Sequence, residues 1–273
     1  MENEPRNVLI TGSARGIGRC LARNLLQKGS RVFLIDVQED ELKYCATEHL
    51  KDYSNRVTYA VCDLRSPQDI YATIQRAAKF FNNRIDVVIN NGGIASPQWK
   101  DGATMEDKAT LEQWQAYIET NLTAPFVVSQ ACIPYMKDER DSKPDDLPSE
   151  GKSMILVGSF RAHQSDPNQE GYASTKSGQL GLMHSMAISL GQWGIRANLV
   201  APGRIKAAHE SKEGDEKGSG FEEQVEQGDI DHHPVNRAGR PSDIVQAIEY
   251  LIESGFVTGQ EIVVDGGVLK KKK

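Results

Sequence analysis

Short apolar runs alternate with amphipathic stretches along the whole chain. Apolar runs of strand length occur at Val8, Val32, Val57, Val87, Ile155, Ala197 and Ile262. Between them, apolar residues at helical spacing predict helices that follow Cys20, begin at Glu39, Ser66, Thr110 and Pro241, and pass through Asn121 and Tyr172. Apolar runs are typical of strands buried on both faces, and their alternation with helices predicts a parallel sheet covered by helices on both sides.

The chain length fits one domain of this doubly wound α/β class, since 273 residues can form one large α/β unit. No second domain and no internal repeat is visible. Residues 1–273 are therefore predicted to form a single domain with short disordered tails at both ends. Two helix starts carry capping signals: Ser66 before Pro67 is a predicted N-cap, and residues 110–113 match a capping box.

A glycine-rich turn follows the first predicted strand and opens the first helix. Glycines let a backbone approach phosphate groups closely, and a helix N-terminus offers unpaired N–H groups. The order of strand, turn and helix predicts a Rossmann-type pyrophosphate cradle at residues 11–18. Its candidate cofactor contacts are Gly12, Ser13, Arg15, Gly16, Ile17 and Gly18.

Asp36 ends the second predicted strand, about twenty residues past the glycine turn. A carboxylate at this position can accept hydrogen bonds from both adenosine ribose hydroxyls and would repel a 2′-phosphate. Arg15 argues the other way, because a guanidinium in the turn could pair with that phosphate. The carboxylate at the ribose decides the prediction, which is NAD(H) rather than NADP(H).

Tyr172 and Lys176 lie four residues apart, on one face of a predicted helix. Free tyrosine has a pKa of about 10, so it needs a nearby positive charge to act as a base at neutral pH. The spacing predicts that Lys176 lowers the pKa of Tyr172, and an oxidised nicotinamide would add to this effect. Ser159 follows an apolar strand, which places it at the carboxyl end of the sheet, where ligands bind in open α/β folds.

Taken together, these motifs resemble the short-chain dehydrogenase/reductase superfamily in its common form of about 250 residues. The resemblance covers residues 8–267 in one order and at the expected spacings. It rests on residues 11–18, Asp63 and Leu64, residues 90–93, Asn121, Ser159, Tyr172, Lys176, Pro202 and Gly203, and residues 264–267.

The resemblance implies a dehydrogenase or reductase that transfers hydride between nicotinamide and a secondary alcohol or ketone. Tyr172 would exchange a proton with the substrate oxygen, and Ser159 would hydrogen-bond the same oxygen. Lys176 would also hold the nicotinamide ribose, while Asn121 would support a water that relays the proton from the lysine. The family association implies a homo-oligomer, a dimer or tetramer, built on the helices that carry Asn121 and Tyr172.

Further cofactor contacts follow from the same resemblance. They are Asp63, Leu64, Asn90, Gly92, Tyr172, Lys176, Pro202, Gly203 and Ile205. Three positions depart from the family pattern. Gly92 and Gly158 replace other small residues, an alanine and a serine, and Ala207 stands where a threonine often bonds the nicotinamide carboxamide. Ile205 can still contribute its backbone there.

The overall charge gives little further direction. A formal net charge of −6 leaves no basic face for nucleic acid. The four cysteines are scattered without metal-ligand spacing and are typical of free thiols in a reducing compartment. No signal peptide and no membrane span is visible, so a cytoplasmic location is expected.

Two polar segments look inserted, at residues 138–151 and 206–233. The first is expected to be a surface loop, and the second follows Pro202 and Gly203, where the family places the lid over its substrate. His209, His232 and His233 lie in the second segment, but residue type alone does not predict a metal site there. Residues 270–273 form a basic tail that is expected to be solvated.

The substrate is inferred from residues expected to surround the site. Arg161, His163, Arg204 and Lys206, with Ser159 and Tyr172, offer more hydrogen-bonding than apolar groups, which favours a sugar, polyol or hydroxy acid. Trp99 and Phe160 keep an apolar or aromatic substrate open. Two alternatives also stay open: an NADP(H)-dependent carbonyl reductase of a more apolar ketone, and a nucleotide-sensing Rossmann protein without turnover. The intact tyrosine, lysine and serine set argues against the latter.

Overall fold

The computed structural model describes residues 5–137 and 151–271. Within them the strands are β1 Asn7–Thr11, β2 Arg31–Asp36, β3 Val57–Val61, β4 Val87–Asn90, β5 Lys152–Val157, β6 Ile195–Pro202 and β7 Glu261–Val264. All pair in parallel in one sheet, in the order β3-β2-β1-β4-β5-β6-β7. The strand order reverses between β1 and β4, and ligands of such sheets bind at that switch point, beside the carboxyl ends of the strands.

Helices connect successive strands and cover both faces of the sheet. They are α1 Gly16–Gln27, α2 Glu39–Tyr44, α3 Pro67–Phe80, α4 Thr110–Tyr117, α5 Ala124–Met136, α6 Glu170–Ser189, α7 Lys212–Lys217, α8 Gln227–His232 and α9 Pro241–Glu253. The predicted doubly wound parallel α/β fold is confirmed.

Alternate residues of the strands feed two separate apolar cores. Leu9 of β1 points to the core shared with α3, α5 and α6. Val8 and Ile10 point to the opposite core, shared with α1, α2 and α9. Because strand side chains alternate between faces, a strand buried on both sides needs apolar residues throughout, and this explains the continuous runs in the sequence.

Both predicted helix starts are confirmed, but only one of the two predicted capping signals is. Ser66 caps α3, where its hydroxyl accepts a hydrogen bond from the Asp69 N–H at 3.2 Å. The capping box at Thr110 does not form, because Thr110 is already inside α4 and donates its hydroxyl hydrogen bond to the Asp107 carbonyl at 2.7 Å. The Gln113 side chain instead accepts from the Lys100 N–H at 2.9 Å.

The helix predicted to start at Thr110 and the helix predicted through Asn121 are one continuous element. A π-helical turn, Ile118–Thr123, joins α4 to α5. Pro125 stands in the first turn of α5 and has no N–H to donate to the carbonyl four residues earlier, which favours a local departure from regular α-helix.

Some predictions fall on residues outside the described ranges. These are the disordered state of the N-terminal residues 1–4, the surface loop over nearly all of residues 138–151, and the end of the basic tail, residues 272–273. Among the described residues, no helix is long and apolar enough to cross a membrane.

Candidate active site

The turn after β1 is shaped so that only glycine fits at two of its positions. Gly12 has a φ of 63°, and a Cβ added there would lie 2.6 Å from Gly92 Cα. A Cβ on Gly18 would lie 2.1 Å from the Gly12 carbonyl oxygen. The backbone of the turn is therefore held close to the turn that follows β4.

The N-terminus of α1 is open to an anion on one side. No side chain caps the helix, and its Arg15 cap residue is exposed. The Gly16 N–H donates to the Glu210 carbonyl at 2.7 Å. Ile17 lines the main cavity of the molecule. A tight glycine turn before an uncapped helix end fits the pyrophosphate of a dinucleotide.

Ser13, a predicted cofactor contact, bonds within the protein instead. Its hydroxyl donates to the Ile35 carbonyl at 3.2 Å and accepts from the Ile35 N–H at 2.9 Å. Its N–H also donates to the Ile35 carbonyl, at 3.2 Å, and its carbonyl accepts from the Cys45 thiol at 3.7 Å. The residue is fully buried against β2.

Asp36 lies at the carboxyl end of β2, beside the glycine turn. Its carboxylate accepts hydrogen bonds from the Ala14 N–H at 3.0 Å, the Val37 N–H at 2.8 Å and the Gln38 N–H at 3.1 Å. These bonds fix the carboxylate where the first two strands end, and they leave it half-buried. The placement fits a group that recognises a ribose.

The other predicted adenosine contacts follow β3 and β4. Asp63 is exposed, and its carboxylate accepts from the Arg65 N–H at 2.9 Å. Leu64 is half-buried, and its Cδ1 atom would lie 2.6 Å from a Cβ on Gly92. The Asn90 amide is buried and donates to the Ser129 hydroxyl at 3.1 Å, so it points into the core rather than toward a ligand.

Ser159 and Tyr172 meet at the carboxyl end of β5. Ser159 follows the strand directly, and Tyr172 lies in the first turn of α6. The pKa of Tyr172 is raised by burial, while a hydrogen bond with Ser159 and the positive charge of Arg161 act in the opposite direction. The predicted lowering of this pKa is therefore not met in the protein alone, because the loss of hydration outweighs both favourable contacts.

Lys176 lies one turn after Tyr172 and is buried. Its ammonium donates to the Val157 carbonyl at 2.9 Å and to Gln179 Oε1 at 3.4 Å. The nitrogen is 5.6 Å from the centre of the Tyr172 ring. Burial lowers the pKa of Lys176 from 10.5 to about 8, so the lysine stays mostly charged at neutral pH.

Asn121 lies in the π-helical turn and is fully buried. Its side-chain oxygen accepts from the Ile94 N–H at 2.7 Å, and its amide donates to the Ile94 carbonyl at 3.2 Å. The Asn121 side chain thus fixes the position of the loop after β4. The main-chain carbonyl of Asn121 faces α6, where it accepts a hydrogen bond from Gln179 Nε2.

The segment after β6 completes the predicted cofactor contacts. Pro202 ends the strand, and a Cβ on Gly203 would lie 2.6 Å from Asp265 Cα, so this glycine is needed for close packing. Ile205 forms an isolated parallel bridge with Gly239. Pro202, Gly203 and Ile205 all line the main cavity.

This cavity has a volume of about 620 Å³ and brings together much of the predicted site. Its lining includes Ser159, Tyr172 and Lys176. Its charged rim carries Arg161, Arg204, Lys206, Asp166 and Asp229. Arg161 pairs with Asp166, and Lys206 pairs with Asp229 at 2.8 Å.

Two residues named from sequence lie away from this lining. His163 turns to Glu261, whose carboxylate lies 2.7 Å from its ring nitrogen. Trp99, which left an aromatic substrate open, is buried and donates to the Glu170 carboxylate at 2.8 Å. Phe160 and Arg161 do line the cavity, so the predicted polar rim is present without His163.

Residues 206–233, which we call the lid segment, carry α7 and α8 and are fastened to α1 by ion pairs. The buried Glu210 carboxylate pairs with Arg23, and its Oε2 lies 3.3 Å from Arg19 Nε. Arg19 also donates to Asp215 at 2.6 Å. The Arg23 guanidinium and the Arg19 charge lower the pKa of Glu210 against the effect of its burial.

The histidines of the lid segment have neighbours other than a metal ion. The ring of His209 packs against Phe221 with centroids 5.7 Å apart. His233 Nδ1 lies 2.6 Å from the Asp229 carbonyl oxygen. Over the residues that the structure describes, no cluster of three or more histidine, cysteine or acidic side chains could hold a metal ion.

Two contributors to the site were missed from sequence: Gln179 and the Arg19–Glu210 pair. The pair joins residues almost two hundred positions apart, so no local pattern could reveal it. Gln179 could have been suggested by its position three residues after Lys176 on the same helical face.

Known proteins resemble this chain over nearly its whole length. Residues 12–269 match a family model described as enoyl-(acyl carrier protein) reductase. A 3-oxoacyl-(acyl-carrier-protein) reductase FabG of Thermotoga maritima is 30% identical over 271 residues, covering 98% of this chain and 100% of that protein. An apo SCOR enzyme from Clostridium thermocellum is 28% identical with a TM-score of 0.77, covering 98% of this chain and 94% of the other. A structure of ElxO with NADP bound is 26% identical with a TM-score of 0.79, covering 98% of this chain and 100% of the other.

Proposed function

The chain belongs to the short-chain dehydrogenase/reductase superfamily, and we propose that it is an NAD(H)-dependent oxidoreductase of a polar secondary alcohol or ketone. The observation that carries the proposal is that Ser159, Tyr172 and Lys176 line one cavity, beside a glycine turn that fits a dinucleotide. Members of this family act on CH–OH and carbonyl groups with a nicotinamide cofactor.

In this proposal Tyr172 transfers the proton and Ser159 holds the reacting oxygen. A bound nicotinamide would accept or donate the hydride and, when oxidised, would add a positive charge near the phenol. That charge would add to the Ser159 hydrogen bond and the Arg161 charge, which already oppose the burial that raises the pKa of Tyr172. The phenol would then lose its proton more readily in the loaded enzyme than in the protein alone.

Asp36 supports NAD(H) as the cofactor. Its carboxylate is fixed by three backbone N–H groups, so it cannot turn away from a 2′-phosphate at low cost. The relative that has NADP bound argues for the alternative. In this chain Arg15 is exposed, and a 2′-phosphate paired with it would lie next to the Asp36 carboxylate.

Among sugars, polyols and hydroxy acids, the charged rim of the cavity favours a substrate that carries an acidic group. Arg161, Arg204 and Lys206 face two carboxylates, Asp166 and Asp229, so the rim has an excess of positive charge. Arg204 Nη2 is 4.0 Å from the same Asp166 oxygen that Arg161 contacts. A substrate carboxylate could share these two guanidinium groups, which favours a hydroxy acid.

A second candidate is reduction of a 3-oxoacyl substrate, suggested by the name of the Thermotoga maritima relative. Phe160, Ile94 and Pro97 give one side of the cavity the apolar surface that such a chain needs. Reduction of a 3-oxoacyl thioester would distinguish this candidate from oxidation of a hydroxy acid.

Assembly into a dimer or tetramer stays a proposal. In sequence, the helix that carries Tyr172 has a wide apolar surface that suggested assembly, formed by Leu180, Leu182, Met183, Met186, Ile188 and Leu190. Most of this surface is internal, since Met183, Met186 and Leu190 are buried in the core. Ile188 is 83% exposed, and Phe126 on α5 is 49% exposed. These exposed side chains support an interface, on a smaller scale than the sequence indicated. A cytoplasmic location likewise stays a prediction.

A substrate screen tests the proposed function. Sugars, polyols, hydroxy acids and secondary alcohols are incubated with NAD⁺ or NADP⁺, and a 3-oxoacyl thioester with the reduced cofactors, while nicotinamide absorbance is followed. We expect turnover of a hydroxy acid with NAD⁺. Tyr172→Phe should lower kcat by at least about a hundredfold and leave NAD⁺ binding nearly unchanged. Near-native turnover by Tyr172→Phe would show that the phenol does not carry the proton.

A further inference from the structure

A buried carboxamide lies between two of the predicted catalytic residues. Gln179 is three residues after Lys176 on α6, and it is 1% exposed. Its Oε1 accepts from the Lys176 ammonium at 3.4 Å. Its Nε2 donates to the main-chain carbonyl of Asn121 in the π-helical turn. One side chain thus connects the lysine to the neighbouring helix.

The partners fix which way the carboxamide points. An ammonium can only donate hydrogen bonds, and a carbonyl can only accept them. The oxygen of Gln179 must therefore face Lys176, and its nitrogen must face Asn121. The reversed orientation would place two donors together and two acceptors together, so this side chain has one satisfied arrangement.

The sequence explains why the Asn121 carbonyl lacks its regular α-helical partner. In a regular α-helix this carbonyl would accept from the N–H of the residue four positions later. That residue is Pro125, which has no N–H. Gln179 Nε2 therefore donates to a buried carbonyl at a point where the regular helical bonding is interrupted.

The other end of the carboxamide acts on Lys176. The ammonium is buried, and its two protein acceptors are the Val157 carbonyl and Gln179. A buried charge is tolerated only where hydrogen bonds replace its hydration, and acceptors favour the charged form. Loss of the Gln179 oxygen would leave one of these two acceptors.

We propose that Gln179 is a positioning residue, which ties the Lys176 ammonium to the Asn121 main chain and keeps it charged and oriented beside Tyr172. The family resemblance implies a water supported by Asn121 as the partner of the lysine, and here a protein side chain takes that connection. A carboxamide does not readily release a proton, so the link holds the lysine rather than conducting protons. The catalytic consequence rests on the proposed function, whereas the coupling to Lys176 does not.

The test is an NMR titration of the lysine side chains in Gln179→Leu. Leucine keeps an apolar body of similar size and removes both hydrogen bonds. Protein with ¹³C-labelled lysine is titrated without substrate, and Lys176→Met identifies the Lys176 signal. We expect the Lys176 pKa to fall by about one unit, the size expected when a charged group loses one hydrogen bond.

Two further variants make the result specific. Gln192→Leu is the matched control, because Gln192 is an exposed glutamine that follows the same helix and donates only to the nearby Ser189 carbonyl. It should leave the Lys176 pKa unchanged. Gln179→Glu places a carboxylate beside the ammonium, so it should raise the Lys176 pKa, and it provides the measurement if the leucine variant does not fold.

Turnover adds a separate readout. In Gln179→Leu the acid limb of the plot of oxidation rate against pH should move to higher pH. The reason is that a neutral Lys176 would no longer favour the ionised form of the Tyr172 phenol. A purely structural role would lower activity at every pH without moving the limb. An unshifted Lys176 pKa in both Gln179 variants would overturn the inference even if the enzyme is active. If the native protein turns over no substrate in the screen, the proposed function fails and the titration still decides the coupling.

Discussion

Replacing Lys176 by methionine should make the cofactor-free protein respond differently to pH. Burial lowers the pKa of this lysine from 10.5 to about 8. A lysine whose pKa is lower in the folded state than in the unfolded state reduces the free energy of unfolding, and the reduction is complete below the folded pKa. The reduction disappears as the pH rises toward the unfolded pKa. The shift corresponds to a penalty of about 3 kcal/mol at neutral pH.

The variant removes this penalty and also two hydrogen bonds. The Val157 carbonyl and Gln179 Oε1 lose their donor, at about 1 kcal/mol each. These losses do not depend on pH, whereas the lysine penalty does. Relative to the variant, the native protein should therefore gain about 2 kcal/mol in free energy of unfolding between about pH 7 and about pH 10.

Urea unfolding of both proteins, followed by far-ultraviolet circular dichroism at several pH values, measures this difference. Other titrating groups are common to the two proteins, so most of their contribution cancels. Lys28→Met, at a half-exposed surface lysine paired with Glu249, serves as the control and should show no such rise. A difference between native protein and Lys176→Met that stays constant over this range would refute the reasoning that burial controls the lysine.

Three other outcomes follow from the structure. Asp36→Ala should raise kcat/KM with NADP⁺ relative to NAD⁺ by at least about tenfold, because the like charge at the 2′-phosphate is removed; a native preference for NADP⁺ in the same assay would contradict the assignment of Asp36. Glu210→Gln should lower the free energy of unfolding by about 3 kcal/mol near neutral pH. The reason is that a neutral carboxamide would replace one of the two carboxylates that pair with the buried Arg19 guanidinium. That loss, measured by urea unfolding, should shrink as the pH falls below the ordinary carboxyl value of 4.5, because the carboxyl group of the unfolded chain is protonated first, and it should vanish below the lowered pKa of native Glu210. Light scattering at micromolar concentration should show a dimer or tetramer, and Ile188→Lys should weaken it if that exposed side chain lies in the interface.

The sheet and its main helices could be predicted because they depend on local pattern. The middle of a strand such as β1 is a continuous apolar run, since Leu9 and its neighbours Val8 and Ile10 point to two different cores. The absence of the capping box at Thr110 could not be predicted from the sequence, because the Thr110 hydroxyl has a competing acceptor in the preceding turn. The hydroxyl of Thr110 donates backward to the Asp107 carbonyl, and Ala109 rather than Thr110 is the N-cap residue of the helix.

The candidate site could be predicted only in part. Tyr172, Lys176 and Ser159 follow from spacing and from the ends of predicted elements. Whether burial or a neighbouring charge controls the Tyr172 pKa depends on how much water the fold excludes from the phenol. The spacing of residues in the sequence does not show how much water is excluded. The contacts of Glu210 and Gln179 join distant segments, so they required the packed structure.

The π-helical turn between α4 and α5 also has a consequence for which length changes the chain can accept. Residues 118–123 hold one residue more than the same length of regular α-helix, and the π-helical turn takes up that residue without turning α5 about its axis. A single-residue deletion within the turn should therefore leave Val127, Val128 and Cys132 facing the core they now fill, and its cost would come from Pro125, which cannot donate a hydrogen bond within a regular helix. A deletion within the regular part of α5 has no such turn to absorb it and would rotate the rest of the helix by about 100°. In related chains, alignment gaps within this helix should therefore fall at residues 118–123 and not in α5.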